Sequence, residues 1–147
     1  FISYNDDSNE NASTKESDAI ADIEEKLDVK MPEFYYRPYG MEFSKYIINP
    51  AADIARIKYL YEEGNIYFYI DKQQTKKASN ISSLNGNEKV IDTISVDNIE
   101  VLLKEMDDSQ DEKMTYIADW KYDDVVYHIV GKLELKELKK IIKEMKF

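Results

Sequence analysis

Apolar positions along the chain follow two periods. In the stretch from Tyr116 to Gly131 they alternate on either side of Asp123-Asp124, which reads as two strands joined by a two-residue turn. Pleat geometry then sets Tyr122 opposite Val125, Trp120 opposite Tyr127, Asp119 opposite His128 and Ala118 opposite Ile129. One face of this hairpin is an aromatic and aliphatic ladder of Tyr116, Ala118, Trp120, Tyr122, Val125, Tyr127 and Ile129. The opposite face carries Asp119, Lys121 and His128 and is expected to be the wetter one. Beyond it Leu135, Leu138, Ile141, Ile142 and Met145 recur at helical spacing with lysines opposite, so 135–145 is expected to be an amphipathic helix.

Earlier in the chain Ile20, Ile23 and Leu27 mark a helix over 16–28, with Ser13 and Glu16 at capping-box spacing. Met31 to Pro38 is an extended linker, because Pro32 and Pro38 exclude helix. A strand follows over 41–48, then a loop. Residues 54–61 and 66–70 flank Glu62-Glu-Gly-Asn65, a hairpin signal with Gly64 available for positive φ. Pairing Tyr61 with Ile66 places Ala55, Ile57, Tyr59, Tyr61, Ile66, Phe68 and Ile70 on the core face. Arg56, Lys58 and Leu60 then share the outer face with Tyr67, Tyr69 and Asp71, with Lys58 opposite Tyr69. Residues 72–87 read as a connecting loop, and 90–96 and 99–103 as a hairpin about Asp97-Asn98.

The expected class is therefore α+β: an antiparallel sheet of about six strands in meander or hairpin order, packed on one face by an N-terminal and a C-terminal helix. Residues 1–15 are polar and read as a disordered or loosely docked segment, with 16–147 forming a single domain, as the length of 147 residues also implies.

Composition narrows the function classes. The net charge of −10 argues against a nucleic-acid reading, since a phosphate backbone demands clustered Lys and Arg. Charge is uneven: nine acids against two lysines in 1–28, six lysines against three glutamates in 132–147. The absence of Cys removes disulfides, thiolate metal sites and Cys nucleophiles. No run of 18 apolar residues suggests a membrane-spanning helix. The chain starts at Phe1 without a leader pattern, so an anchor or leader is expected upstream of Phe1, and membrane association only through it.

Two stretches resemble a known family. One is Leu27-Asp-Val-Lys-Met-Pro32 with Pro38-Tyr-Gly40 and the hairpin from Ala55 to Ile70. The other is Trp120 with Tyr127-His-Ile-Val-Gly131 and the helix near Leu135. Together, over about 18–146, they resemble an uncharacterised family of extracytoplasmic domains of Gram-positive bacteria, found in anti-sigma-factor-like membrane proteins and lipoproteins. The chain departs from the family pattern at Asp124, where Gly is common, and at Glu134, where a Ser or Thr cap is usual. The resemblance implies an extracytoplasmic, membrane-associated or secreted domain, and it brings no catalytic residues with it.

Chemistry-bearing residues point the same way. His128 has Asp119 to orient it, but no Ser, Thr or Cys is placed to complete a nucleophilic triad, so cross-strand pairing on the sheet surface is the expected role. The acidic loop 107–112 holds four carboxylates without the ligand order or central Gly of a calcium loop, and reads as solvated. Phosphate loops and zinc spacings are missing from the sequence. No catalytic, metal or cofactor-binding residue is assigned, and no cofactor is expected. The candidate partner-binding face is Arg56, Lys58, Tyr67 and Tyr69, two cations beside two tyrosines, suited to a protein or a cell-wall component. The expected function is a non-enzymatic sensory or binding domain. A carrier or chaperone-like domain enclosing an apolar ligand is the alternative, and a hydrolase comes third.

Overall fold

In the computed structural model, residues 7–8, 15–72, 88–107 and 114–147 are described. Along the chain lie β1 (Asp7–Ser8), α1 (Glu16–Leu27), β2 (Glu33–Phe34), β3 (Glu42–Asn49), a short 3-10 turn (Pro50–Ala52), β4 (Ile54–Tyr61) and β5 (Gly64–Asp71). They are followed by β6 (Glu88–Val96), β7 (Ile99–Met106), β8 (Thr115–Tyr122), β9 (Val125–Gly131), α2 (Leu135–Lys143) and β10 (Met145–Lys146).

Seven long antiparallel strands and the two-residue β1 form one sheet in the order β1-β3-β4-β5-β9-β8-β7-β6, and β10 pairs β2 in a small second ladder. The class is α+β, a sheet packed by an N-terminal and a C-terminal helix. Hairpin order holds within β3–β5 and within β6–β9. It does not hold between them: β5 pairs β9, and β6 lies at the far edge. At the end of β9, Gly131 lies directly opposite Ile66 of β5. A Cβ there would come within 3.0 Å of the Ile66 side chain and 3.3 Å of its backbone.

The register of the Trp120 hairpin is as the alternation predicts, with Trp120 opposite Tyr127 and Asp119 opposite His128. Asp123 and Asp124 both take left-handed φ, 51° and 61°, the geometry of a two-residue turn that matches strand twist. Asp97 and Asn98 do the same in the β6–β7 turn. The β4–β5 hairpin corrects its expected register by two residues. Tyr61 pairs Gly64 and Tyr59 pairs Ile66, so the turn is Glu62-Glu63, and Glu62 rather than Gly64 takes the positive φ. An even shift leaves every side chain on its expected face. It does change neighbours: Lys58 lies opposite Tyr67, and Arg56 opposite Tyr69.

The core lies between the sheet and the helices. Trp120, Tyr127 and Phe68 stack there, with ring centroids 5.6–6.0 Å apart, and Phe34 meets Phe68 edge-on at 5.2 Å. Leu138, Ile141 and Ile142 of α2 and Ile23 and Leu27 of α1 complete the same buried cluster. Burying side chains of this size contributes on the order of 1.5–3 kcal/mol each.

Helix α1 is tied down by polar contacts. Its N-cap is Lys15, with no side-chain cap, and Ser13 of the expected capping box lies outside the described residues. Glu16 instead accepts both Arg37 guanidinium nitrogens, at 2.7 and 2.6 Å, and the Tyr59 hydroxyl at 2.7 Å. Burial first, and the Glu16 charge after it, push the Tyr59 hydroxyl pKa well up. At the other end Asp28 closes the helix in the left-handed region, and Lys72 Nζ donates to the Leu27 carbonyl at 2.9 Å. Helix α2 ends at Lys143, two residues before its expected limit, because Met145 leaves the helix to pair with Phe34. Most of the N-terminal segment 1–15, the 73–87 part of the expected loop and the acidic cluster beyond Asp107 lie outside the described residues.

Candidate functional site

Alternation along β4 turns Ile57 and Tyr59 to the helices, so Arg56 and Lys58 point to the opposite face, and Tyr67 and Tyr69 of β5 join them there. All four candidate residues are half-buried. Three of them touch: the Arg56 guanidinium carbon lies 5.0 Å from the Tyr67 ring centre, and the Tyr67 and Tyr69 rings are 6.1 Å apart, tilted by 39°, while Lys58 is the cross-strand partner of Tyr67. Cation and ring quadrupole attract in such an arrangement, by about 0.5–1 kcal/mol at exposed sites. Asn65 donates its side-chain amide to the Tyr67 hydroxyl at 3.5 Å. Burial raises the Tyr69 hydroxyl pKa, and Arg56 opposes that rise.

A fifth member was missed in the sequence. Lys45 of β3 is directly opposite Lys58, on the same face and exposed. The alternation within 41–48 already sends Lys45 to the side away from Tyr46, whose hydroxyl donates to Asp22 of α1 at 2.7 Å. What the sequence lacked was the register of β3 against β4. That register steps at a bulge between Phe43 and Lys45.

Across Tyr69 the same face changes character. The Tyr69 ring meets the His128 ring edge-on at 6.5 Å. His128 Nδ1 lies 2.6 Å from Asp119 Oδ1, Asp119 Oδ2 is 2.7 Å from Lys104 Nζ, and Lys104 Nζ is 3.3 Å from Glu88 Oε1. These four groups form one ionic row across β9, β8, β7 and β6, hydrogen-bonded at His128–Asp119 and Lys104–Glu88 and joined by the Lys104–Asp119 ion pair. The expected pairing of Asp119 with His128 is present, but the wet surface expected around it is not. Asp119 and His128 are 0% and 1% exposed, and Ile117 and Val126 beside them are also buried. A carboxylate in that setting requires partners, since an unpaired buried charge costs several kcal/mol. It has two. Burial disfavours the Lys104 ammonium, yet its hydrogen bonds and charge interactions with Asp119 and Glu88 outweigh that and raise its pKa. The imidazole Nε2 is buried with no hydrogen-bond partner.

At the sheet end beside the start of α2, a groove of about 350 Å³ is lined by Tyr61, Tyr116, Leu133 and Leu135 together with Glu62, Lys132 and Glu134. Glu134 is the N-cap of α2 and supplies no side-chain cap. Among the described residues no group of three or more His, Asp or Glu is arranged to hold a metal ion, and no helix is long and apolar enough to cross a membrane.

An antiparallel sheet with its core against two helices, and an ionic and aromatic row on the other face, defines this as a helix-backed α+β domain. Residues 31–145 match the model of a domain of unknown function, DUF4367, and the chain belongs to that family. Neither a search of curated proteins nor one of solved structures gives a match.

Proposed function

We propose that this is a non-enzymatic binding domain and that it binds through the outward face of β3–β5. The observation that carries the reading is the Arg56–Tyr67–Tyr69 contact with Lys58 paired to Tyr67 in the ladder, two cations and two tyrosines on one face and half exposed. Side chains with an apolar body and a polar tip suit a surface that alternates between water and a partner. The partner is a protein or a cell-wall component. The setting is the outside of a Gram-positive cell, in a membrane-associated regulator of the anti-sigma-factor-like kind or in a lipoprotein. That setting rests on the resemblance carried by Leu27 to Pro32, the Ala55–Ile70 hairpin and the Trp120–Gly131 hairpin.

Charge reversal tests the face. Arg56→Glu together with Lys58→Glu is expected to leave the near-UV circular dichroism of the Trp120 stack intact and to abolish retention on isolated cell-wall fractions or on a purified partner. Undiminished retention by a folded double variant would remove the face from consideration.

A further inference from the structure

Resting on the reading of β3–β5 as the binding surface, we propose that His128 is a positioning residue for it. The buried imidazole holds the Tyr69 ring, and through it Tyr67, in the arrangement that meets a partner.

The register makes the buried row and the half-exposed face neighbours. Arg56, Tyr69, His128 and Asp119 are successive cross-strand partners on β4, β5, β9 and β8, so they stand in one line on the outer side of the sheet. Within that line the His128 and Tyr69 rings meet edge-on, 6.5 Å apart with their planes at 74°. An edge-to-face contact has a preferred geometry, so it fixes the angle of a ring as well as its depth. Tyr69 in turn meets Tyr67 at 6.1 Å, and the Tyr67 ring carries the Arg56 guanidinium at 5.0 Å.

The imidazole is itself held. An ionised carboxylate only accepts, so Nδ1 carries the proton and donates to Asp119 at 2.6 Å. Lys104 Nζ stands 2.7 Å from the other carboxylate oxygen and 3.3 Å from Glu88 Oε1. Asp119 therefore has a counter-charge without His128. Packing does not ask for a histidine either. Its Nε2 is buried with no hydrogen-bond partner, a cost that an apolar ring of similar shape would not carry. What the imidazole has and a phenyl ring lacks is the bond to Asp119. That bond stops rotation about χ2 and sets the plane against which Tyr69 packs. A row anchored across four strands thus ends, at the border of the face, in a ring of fixed orientation. A tyrosine pair without such a support loses rotamer freedom when a partner docks, and that loss weakens binding; held in place beforehand, it does not.

Two substitutions separate the parts. His128→Phe keeps a ring beside Tyr69 and loses the bond to Asp119, while His128→Asn keeps a donor for Asp119 and loses the ring. Each is expected to weaken retention of the chain on purified peptidoglycan about threefold or more, as for residues coupled by contact. Retention is measured well below the melting midpoint of each variant, with the near-UV circular dichroism of the Trp120 stack as the check on folding. In the free protein the aromatic NMR resonances of Tyr69 and Tyr67 should shift or broaden in both variants. In a Tyr69→Ala background neither substitution should weaken retention further, because His128 acts through Tyr69. A histidine of purely structural importance would lower retention by the same factor with or without the Tyr69 ring, and that result overturns the proposal. Unchanged retention, or unchanged Tyr69 resonances, in the folded variants overturns it too. Undiminished retention by the Arg56→Glu, Lys58→Glu variant instead removes the face itself, and the positioning role with it.

Discussion

One sheet face carries two charged clusters, and they obey opposite rules. On β6–β9, Glu88, Lys104, Asp119 and His128 are buried and bonded in sequence. On β3–β5, Lys45, Lys58 and Arg56 share a sign and keep contact with solvent. Away from water each charge needs a counter-charge within hydrogen-bond reach, or the ion is not tolerated. In water Lys45 and Lys58 can face one another at small cost, because high dielectric and salt screen them. The first cluster is therefore a matter of stability and the second is open to a role in binding.

The largest effect expected from this contrast is at Asp119. Asp119→Ala should destabilise by about 3–5 kcal/mol, since Lys104 is left buried with only Glu88 to pair it. Urea denaturation followed by Trp120 fluorescence measures it, and a loss below about 1 kcal/mol, the range of a surface pair, would place the cluster in water. His128→Ala is expected to cost less, about 1–3 kcal/mol, as one hydrogen bond to the Asp119 carboxylate is lost while the salt bridge to Lys104 remains.

The pH dependence sharpens the same difference. The Lys104 pKa is raised in the folded state, so its stabilisation is fully present below the ordinary value of 10.5 and is lost as pH rises through the folded value. Tyr59 and Tyr127, both raised first by burial, act in the same direction. Asp119→Asn removes the group that raises Lys104, so the Lys104 share of the alkaline loss should shrink and the urea midpoints of the variant should fall less steeply between about pH 9 and 12 than those of the unaltered protein. Superimposable curves would mean that Asp119 does not hold the ammonium. The smallest effect belongs to the exposed cluster. Lys45→Glu should stabilise by about 0.2–1 kcal/mol at low salt, and the gain should fade in high salt. A thermal melt that shows a loss instead would mean that the lysines are not facing one another.

Much of this fold was legible because alternation and turn chemistry are local. Asp123-Asp124 and Asp97-Asn98 sit where two strands of matched alternation need a two-residue turn, and both fix their registers as expected. Glu62-Glu-Gly-Asn65 offers competing turns, and the structure places positive φ on Glu62 rather than on the glycine. A side-chain period of two protected the face assignment from that slip, which is why Arg56, Lys58, Tyr67 and Tyr69 still came together.

Burial of the outer face was not legible in the same way. Asp119, Lys121 and His128 alternate with apolar residues and look alike in sequence, yet Lys121 is exposed while the other two are buried. Their fate depends on Lys104 and Glu88, which belong to β7 and β6. Lys45 escaped notice for a related reason: its position opposite Lys58 is a fact about two strands joined through a 3-10 turn, not about either strand alone.

By itself, then, the sequence determined the element types, the two apolar helix faces, the Asp123-Asp124 and Asp97-Asn98 turns and the side of the sheet to which each strand residue points. Those follow from φ/ψ preference and periodicity, which act over a few neighbouring residues. The tertiary structure alone decided that β5 meets β9, that β6 stands at the edge, and that one half of the outer face is dry while the other sets Lys45 opposite Lys58 in contact with water. Strand order and burial depend on contacts between residues distant in the chain, and no local period encodes them.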